Sequence, residues 1–365
     1  MSKAYLMLQN GMIFEGESFG AAGEATGEIV FTTGMTGYLE TLTDKSYHGQ
    51  IVLQTFPLIG NYGVIPSDFE SSEIGPLAYI VKTPSKSPSN FRSEGDIDNF
   101  LKKRGIVGLC GIDTRAVTRI IRERGVMNGI ITMSYPDSKK AGELSSYRIT
   151  GAVEAVTCTK PVFYKSDNPK YTVALLDFGA KENIRRELQK RGCGIWVLPA
   201  DTPPGEIINM GIDGIMLSNG PGDPADNTRI IQNIKTLMGS GIPVFGICLG
   251  HQLMAISQGM GTHKLKYGHR GANQPVKDLS TGRVYITSQN HGYAVTTESI
   301  NQSIAEPWFI NVNDNTCEGL KYKAAKAFSV QFHPEASAGP TDTAFLFDLF
   351  INAMEENRIC PATTA

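Results

Sequence analysis

The sequence has no long apolar run and no excess of one charge, and each absence removes a class of protein. None of its apolar stretches approaches the roughly 20 residues needed to span a bilayer. The formal net charge is only -2 over 365 residues, so no basic surface for nucleic acid or anionic lipid is indicated. The N-terminal residues, "MSKAYLMLQNGMIFEG", lack a basic region followed by a sustained apolar core, so no secretory signal is predicted.

The six cysteines are scattered, and no two of them form a C-x-x-C pair. This spacing argues against a cysteine zinc site and against a small disulfide-bonded scaffold. We therefore expect a reducing, cytoplasmic setting in which a thiol stays available. Because free cysteine is usually buried, packed core thiols are expected at every position except Cys248. These five are Cys110, Cys158, Cys193, Cys317 and Cys360.

Ligand patterns for metals and phosphates are also missing. The histidines show no ligand spacing with cysteine or carboxylate, so no metal site is predicted. There is no G-x-x-x-x-G-K-[ST] loop and no G-x-G-x-x-G placed after a strand, so no cofactor is expected on this chain. For His291, lining a pocket and simple hydrogen bonding are equally open. Structural or surface roles are expected for His48, His251, His263 and His269.

What the sequence does have begins with β-like runs separated by glycine: "YLMLQNGMIFEG", "GEIVFTTG", "GQIVLQTF" and "LAYIVK". Two helices are predicted next, "DIDNFLKKRG" and "DTRAVTRIIRERG", because each starts at an aspartate suited to an N-cap and ends at a glycine. This pattern fits a mixed α/β domain over residues 1–150. The segment "TKPVFYKSDNPK" has two prolines and no period, so residues 151–170 are predicted to be a linker.

From residue 171 onward, apolar strands alternate with amphipathic helices. The strands are "YTVALLD", "GIWVLPA", "GIDGIML" and "IPVFGIC", and the helices between them include "KENIRRELQKRG" and "DNTRIIQNIKTLMGSG". This alternation predicts an α/β domain over residues 171–365, with a doubly wound, mostly parallel sheet. Ligands bind beyond the carboxyl ends of the strands in such sheets.

Cys248 stands at one of these strand ends, in "GICLGHQ". A helix follows the strand without a loop, which requires a tight turn, and Gly246 and Gly250 remove side chains where that turn approaches other backbone. The same arrangement holds the nucleophile of the α/β hydrolases. The helix N-terminus favours a thiolate and offers N–H groups to an oxyanion. A packed core thiol is the ordinary alternative, but the glycines and the strand-end position favour a nucleophile.

A base and an orienting carboxylate are available in "AFSVQFHPEAS". His333 and Glu335 are two residues apart and point the same way in an extended chain, so Glu335 can fix the imidazole tautomer. Pro334 keeps His333 out of a helical conformation. The motif "HPE" is weak alone, and an exposed loop histidine is its ordinary interpretation. Combined with "GICLGHQ", it predicts a Cys-His-Glu triad.

The paired motifs resemble those of the class I, triad-type glutamine amidotransferases, whose signatures are a G-x-C-x-G-x-Q elbow and a later H-P-E. Residues 171–357 carry both. Other segments resemble the small-subunit family of carbamoyl phosphate synthetase, and they cover nearly the whole chain, including its N-terminal domain. These segments are "EIVFTTGMTGYLETLTDKSYHGQIV", "GLCGIDTRAVTR", "LLDFGAKENIRREL", "LSNGPGDP", "KLKYGHRGANQPV" and "QNHGYAV".

The resemblance assigns roles to individual residues. It implies that Cys248 is the nucleophile and that His333 and Glu335 complete the triad. It implies an oxyanion hole of backbone N–H groups from the "SNGPGDP" loop and from the start of the helix, and further positions that hold glutamine. One of these, Ser46, belongs to the N-terminal domain. The full implied substrate set is Ser46, Gly220, Gly222, Leu249, Gln252, Asn290, Gly292 and Tyr293.

The implied activity is glutamine hydrolysis through a cysteine thioester. No length remains for an ATP-dependent synthetase, so ammonia has to go to another chain. The resemblance implies a large partner subunit that uses ATP, magnesium and bicarbonate to make carbamoyl phosphate for pyrimidine or arginine synthesis. Two other readings are an amidotransferase subunit of another synthetase and a non-catalytic regulatory relative. The N-terminal domain argues against the first reading, and the intact triad argues against the second.

Overall fold

Seven strands of the N-terminal residues close into a barrel. The structure is a computed structural model that describes residues 2–137 and 139–359, and it divides into two compact units between Thr150 and Gly151. The strands of the first unit are β1 (Lys3–Leu8), β2 (Ile13–Gly20), β3 (Ala25–Thr32), β4 (Gln50–Gln54), β5 (Leu58–Ile59), β6 (Ala78–Ile80), β7 (Thr83–Pro84), β8 (Val107–Cys110) and β9 (Met127–Thr132).

The barrel order is β1-β2-β8-β6-β4-β3-β9, and β5 and β7 form a separate two-stranded sheet. Strands β3, β4, β6 and β8 run parallel to one another, whereas β1, β2 and β9 pair antiparallel with their neighbours. Alternate residues of β4 face two different apolar clusters: Ile51 and Leu53 pack into one, and Val52 packs into the other. The sequence predicts a mixed domain here, and the closure into a barrel is an additional finding.

The helices of the first unit are α1 (Tyr38–Thr43), α2 (Ile97–Lys103), α3 (Thr114–Arg124) and α4 (Lys139–Leu144), with 3-10 turns at Lys45–Tyr47 and Pro66–Asp68. The predicted N-caps of α2 and α3 are confirmed. The Asp96 carboxylate accepts from the Asn99 N–H at 2.8 Å, and the Asp113 carboxylate accepts from the Ala116 N–H at 3.0 Å. These bonds satisfy N–H groups that have no partner inside the helix.

The second unit contains one large sheet with helices on both faces. Its strands are β10 (Val162–Tyr164), β11 (Tyr171–Asp177), β12 (Cys193–Pro199), β13 (Gly214–Leu217), β14 (Val244–Ile247), β15 (Thr262–Asp278), β16 (Val284–Val295), β17 (Ala305–Asn311), β18 (Cys317–Tyr322) and β19 (Ala327–Val330). Its helices are α5 (Ala152–Val156), α6 (Glu182–Lys190), α7 (Pro204–Asn209), α8 (Thr228–Met238), α9 (Leu249–Ser257) and α10 (Phe345–Ile359), with 3-10 turns at Pro224–Asp226 and Thr297–Ser299.

The ten strands lie in the order β10-β12-β11-β13-β14-β19-β18-β16-β15-β17. Strands β12, β11, β13, β14 and β19 are parallel, as the alternating pattern predicts. Strands β15 to β18 add an antiparallel extension beyond β19 that the alternating pattern does not predict. These strands follow one another without intervening α-helices, so they pair as antiparallel neighbours.

Both faces of the parallel strands are buried, which is why these strands read as continuous apolar runs. Within β11, Ala174 and Leu176 pack against the cluster that contains α8 and α9 residues. Val173 and Leu175 pack against the opposite cluster, which contains α6 and α10 residues. The sheet is therefore covered by helices on both faces. Within residues 2–137 and 139–359, no helix is both long and apolar enough to cross a membrane.

Residues 151–170, predicted as a linker, contain α5 and β10 and belong to the second unit. Strand β10 pairs antiparallel with β12, and Val153 of α5 is buried in the core. The prolines that suggest a linker, Pro161 and Pro169, lie on either side of β10. A three-residue strand is too short to show a readable period in the sequence, so it is not predicted.

Candidate active site

Cys248 occupies a sharp turn between β14 and α9. The strand ends at Ile247 and the helix begins at Leu249, so Cys248 alone forms the connection. Its backbone is in an unusual conformation for a residue with a side chain, with φ 53° and ψ -103°. Holding a residue in such a conformation costs roughly 1–3 kcal/mol. Residues in such conformations occur most often at functional sites. The Cys248 N–H donates to the Val330 carbonyl at 2.9 Å, which fixes the turn against β19.

The two predicted glycines are required by close packing. A Cβ on Gly250 would lie 2.4 Å from the Leu217 carbonyl oxygen, and a Cβ on Gly246 would lie 2.5 Å from the Met254 sulfur. Separations under 3.0 Å are not tolerated without movement, and the Leu217 oxygen belongs to the backbone of a central strand. The start of α9 therefore sits directly on β13, and only glycine allows this approach.

His333 and Glu335 form a buried pair. His333 Nδ1 lies 2.6 Å from Glu335 Oε1, and both residues are less than 5% exposed. The other ring nitrogen, Nε2, is buried and makes no hydrogen bond within the protein. A carboxylate at Nδ1 places the proton there and leaves Nε2 as the basic atom. The pair can therefore accept and return a proton through Nε2.

The local conformation around His333 differs from the extended chain that the sequence predicts. Strand β19 ends at Val330, and the Ala336 N–H donates to the His333 carbonyl at 3.3 Å, which closes a turn. Pro334 occupies a position in this turn that proline favours. The side-chain contact is therefore made across a turn. The predicted alternation of the preceding residues holds, since Val330 and Phe332 pack into the apolar core while Ser329 and Gln331 bond to α9 side chains.

Strand β16 touches both the thiol and the base. The Cys248 thiol donates to the Asn290 carbonyl with an Sγ–O distance of 3.7 Å. Two residues earlier, the Ser288 carbonyl accepts from the His333 N–H at 2.9 Å. One short stretch of backbone therefore supports both groups. Asn290 is among the predicted site residues, whereas Ser288 and Gln289 are not.

The glycine loop after β13 lies beside the start of α9. The Gly250 N–H donates to the Ser218 carbonyl at 3.0 Å, and the Asn219 side chain bonds to the backbone of Gly179 and Lys181. In this loop a Cβ on Gly220 would lie 2.2 Å from the Phe178 carbonyl oxygen. The loop is therefore fixed on two sides. Leu249 is the first residue of α9, so its N–H has no acceptor within the helix.

Gln252 connects α9 to β16 and to the segment before His333. Its side-chain nitrogen donates to the Tyr293 carbonyl at 2.7 Å and to Gln331 Oε1 at 2.9 Å. Both donors of the amide are thus engaged within the protein, and Oε1 remains as its acceptor atom. Asn290, Gly292 and Tyr293 lie on β16. All predicted site residues except Ser46 therefore belong to the second unit.

Ser46 belongs to the first unit. It is nearly buried in the 3-10 turn Lys45–Tyr47, and its N–H donates to Asp44 Oδ1 at 2.9 Å. The Asp44 carboxylate thereby caps this turn. The role of Ser46 toward glutamine stays a prediction.

Cys110, Cys193, Cys317 and His251 have buried environments unlike that of a reactive group. Burial raises the pKa of Cys110 to about 11 and those of Cys193 and Cys317 to about 12. Cys158 is half-buried, and Cys360 lies outside the described residues. Burial lowers the pKa of His251 to about 3, and its Nδ1 contacts Ser329 Oγ at 2.8 Å. His251 is therefore a neutral core residue, as the sequence predicts.

His269 is more than the simple structural group that the sequence suggests. Its Nε2 lies 2.8 Å from Asp314 Oδ2, and its Nδ1 lies 3.4 Å from Glu318 Oε1. The nearby titratable or charged groups also include His291, whose ring centroid is 4.9 Å away, and Arg270, the next residue of β15. Burial alone would lower the pKa of His269, but the two carboxylates raise it to about 9. His269 is therefore cationic at neutral pH.

Burial and the nearby charge of His269 together shift the pKa values of the groups around it. Despite burial, hydrogen bonds from His269 and Thr316 hold the pKa of Asp314 below its usual value. Burial raises the pKa of Glu318, an effect that hydrogen bonding with His269 and Asn311 partly offsets. Burial lowers the pKa of His291 well below its usual value.

The donor atoms of His269, His291 and Glu318 lie within 4.8 Å of one another, a spacing that a metal ion could use. Each nitrogen of His291 also has a protein oxygen nearby, since Nδ1 lies 2.7 Å from the Tyr293 carbonyl oxygen and Nε2 lies 3.0 Å from Gln289 Oε1. The motif "KLKYGHRGANQPV" contains His269, so the sequence did carry a signal here. Its connection to Glu318, almost 50 residues away, could not be read from spacing.

Two family models match the chain: "Glutamine amidotransferase class-I" over residues 174–353 and "Carbamoyl-phosphate synthase small chain, CPSase domain" over residues 6–131. The chain is 48% identical to the carbamoyl phosphate synthase small chain of Syntrophotalea carbinolica, over 98% of this chain and 99% of the relative. It is 49% identical to that of Bacillus cereus, over 97% and 96%. Among solved structures, a glutamine amidotransferase from Thermotoga maritima is similar, with a TM-score of 0.38, 20% identity, and coverage of 52% of this chain and 86% of the other.

Replacing Gly250 by alanine should disrupt the turn at Cys248. The new Cβ would meet the Leu217 carbonyl oxygen at 2.4 Å, and overpacking of this kind typically costs about 1–3 kcal/mol. We expect a lower midpoint of thermal unfolding. Gly205→Ala is the matched control, because Gly205 lies in a helix with open space around its Cβ position. An unchanged midpoint for Gly250→Ala would contradict the close approach of α9 to β13.

The stability of the chain should depend on the charge of His269. Its pKa is about 9 in the folded chain and about 6.5 in an unfolded chain. Because the pKa of His269 is higher in the folded chain, its protonation stabilises the fold. This stabilisation is fully present below pH 6.5 and is lost as the pH rises through about 9. Its full size is on the order of 3 kcal/mol. Between pH 6 and pH 9.5, the unfolding midpoint of the wild-type chain should fall further than that of His269→Asn. Parallel declines would show that His269 is not the titrating group.

Proposed function

The chain belongs to the carbamoyl phosphate synthase small-chain family, and from that premise we propose how its residues carry out the reaction. It is the glutamine-hydrolysing subunit of a carbamoyl phosphate synthase, and its class I amidotransferase domain releases ammonia from glutamine. The observation that carries the residue assignment is the placement of Cys248 on a strained turn at the end of β14, beside a buried His333–Glu335 pair at the end of the neighbouring β19.

In the first half of the reaction, His333 Nε2 takes the proton of the Cys248 thiol, and the resulting thiolate attacks the side-chain amide carbon of glutamine and forms a C–S bond. The amide oxygen becomes an oxyanion, stabilised by N–H groups of Leu249 and of the Gly220–Gly222 loop. A single donor of this kind is worth about 3 kcal/mol in other enzymes. His333 then gives a proton to the nitrogen as the C–N bond breaks. Ammonia leaves, and a thioester remains on Cys248.

In the second half, water replaces ammonia. His333 Nε2 takes a proton from water as the oxygen attacks the thioester carbon. The C–S bond breaks, His333 returns the proton to the sulfur, and glutamate leaves with the thiol restored. Glu335 contacts Nδ1 of His333, where it fixes the tautomer and stabilises the imidazolium form.

Glutamine is held by residues on three segments. Gln252 would accept a hydrogen bond through Oε1, because both of its amide donors already bond to the protein. Asn290, Gly292 and Tyr293 would present polar atoms from β16, next to the thiol. Ser46 is the remaining proposed contact, and family resemblance alone supports it.

The ammonia passes to a large synthetase subunit. ATP and magnesium are expected on that partner, which converts bicarbonate and ammonia to carbamoyl phosphate. Support for this assignment over another synthetase comes from the N-terminal residues 6–131, which match the small-chain domain specifically. We place the complex in the cytoplasm, where a reducing setting keeps the Cys248 thiol available.

Replacing Cys248 by serine should abolish glutamine-dependent synthesis by the complex and leave ammonia-dependent synthesis intact. A serine hydroxyl is a far weaker nucleophile beside a base suited to a thiol, and loss of a triad nucleophile costs at least about a thousandfold in turnover. The assay compares glutamine with ammonium as nitrogen source. Cys158→Ser is the control, because this cysteine lies in the same unit. Retention of glutamine-dependent activity in Cys248→Ser would remove Cys248 as the nucleophile.

Replacing His333 by asparagine should lower kcat for glutamine hydrolysis much more than it raises KM. Asparagine can form hydrogen bonds, but it cannot shuttle a proton between water, thiol and leaving ammonia. Steady-state kinetics of glutamate release would measure both constants, with His263→Asn as a control at an exposed position. A raised KM at unchanged kcat would instead make His333 a binding residue.

A further inference from the structure

We propose that His269 is a positioning residue for the glutamine-hydrolysing site, acting with Asp314 and Glu318 through strand β16. The inference rests on the proposed function of Cys248 and His333. His269 lies two contacts away from β16, first to Glu318 and then from Glu318 to Gln289. From β16, a third contact leads to His333 and a fourth to Cys248.

The first contact is the bridge made by His269 itself. Its two ring nitrogens face two carboxylates, Asp314 Oδ2 at 2.8 Å and Glu318 Oε1 at 3.4 Å. Glu318 is fully buried, whereas the Asp314 side chain is 43% exposed. A buried carboxylate needs a counter-charge or several donors. His269 provides that charge, and Asp314 links it to the protein surface.

The second contact passes from Glu318 to β16. Glu318 Oε2 accepts from the Gln289 side-chain nitrogen at 3.0 Å, while Oε1 accepts from Asn311 at 3.3 Å. Because the Gln289 nitrogen faces a carboxylate, its oxygen is directed to His291 Nε2 at 3.0 Å. Glu318 therefore sets the orientation of the Gln289 amide.

The third and fourth contacts are the ones made by the backbone of β16 to the proposed catalytic groups. Gln289 lies between Ser288, whose carbonyl accepts from the His333 N–H, and Asn290, whose carbonyl accepts from the Cys248 thiol. A displacement of Gln289 would therefore move the supports of base and nucleophile together. Misplacement by about 1 Å can cost a hundredfold in rate.

Removing the charge of His269 should thus impair the chemistry as well as the stability. In His269→Asn, the carboxylate of Glu318 loses its cation and is left buried. We expect iodoacetamide alkylation of Cys248, read by peptide mass spectrometry, and kcat for glutamine hydrolysis to fall together by about tenfold to a hundredfold. Both are measured well below the unfolding midpoint. His263→Asn is the matched control, because His263 is exposed on the same strand and its Nδ1 contacts Thr296 Oγ1 at 3.0 Å.

Two further variants make the test specific. Glu318→Gln in the His269→Asn background removes the unpaired carboxylate and should restore part of both rates. Asp314→Asn weakens the outer contact of the bridge at a partly exposed side chain, so it should fold and give a smaller loss in the same direction.

The proposal is overturned if His269→Asn and Asp314→Asn lower the unfolding midpoint but leave the alkylation rate and kcat within twofold of the wild-type values. In that case His269 would have a structural role only. Failure of the proposed function has a different signature. In that case the wild-type chain with its partner would not hydrolyse glutamine, and the alkylation rates would still report on the geometry at Cys248.

Discussion

The backbone conformation of Cys248 is the constraint on which the second unit depends. A non-glycine residue at φ 53° is strained, and the surroundings hold it there by several independent contacts. The Cys248 N–H is bound by β19, and α9 is pressed onto β13 through Gly250. The result is a thiol at the N-terminus of a helix, where the helix dipole favours negative charge. The backbone strain, the close packing of α9 and the proposed reactivity of the thiol all follow from the direct connection of β14 to α9 at Cys248.

The contacts around the thiol also explain why the site extends across the antiparallel half of the sheet. The parallel strands supply the proposed nucleophile and the proposed base, at the ends of β14 and β19. Strand β16 supplies the support on the other side, and Gln252 ties that strand to α9. The ionic group of His269, Asp314 and Glu318 spans β16, from His269 on β15 to the buried Glu318 on β18. Its contact with Gln289 connects it to the part of β16 that supports the site.

The sequence predicts the elements that local chemistry decides. The caps of α2 and α3, the alternation of strands and helices from residue 171, and the glycines around Cys248 follow from nearest neighbours in the chain. Closure of the barrel and the antiparallel extension depend on pairing between distant segments, which a single sequence does not reveal. The contact between His333 and Glu335 was predicted for an extended chain and is made across a turn, because spacing alone does not fix the backbone. The link from His269 to Glu318 depends entirely on the register of β15, β16 and β18.

Strand β10 has a practical consequence for anyone who wishes to study the amidotransferase domain alone. It covers the outer edge of β12, whose backbone groups would otherwise face solvent and offer a template for pairing with other chains. Just before it, the Thr157 hydroxyl accepts from the Ala200 N–H at 3.0 Å, and the Cys158 N–H donates to Asp177 at 2.8 Å. A domain that begins at Tyr171 would lose β10 and both of these hydrogen bonds, and the edge of β12 would be free to pair with other chains. The natural place to divide the gene is therefore ahead of Gly151.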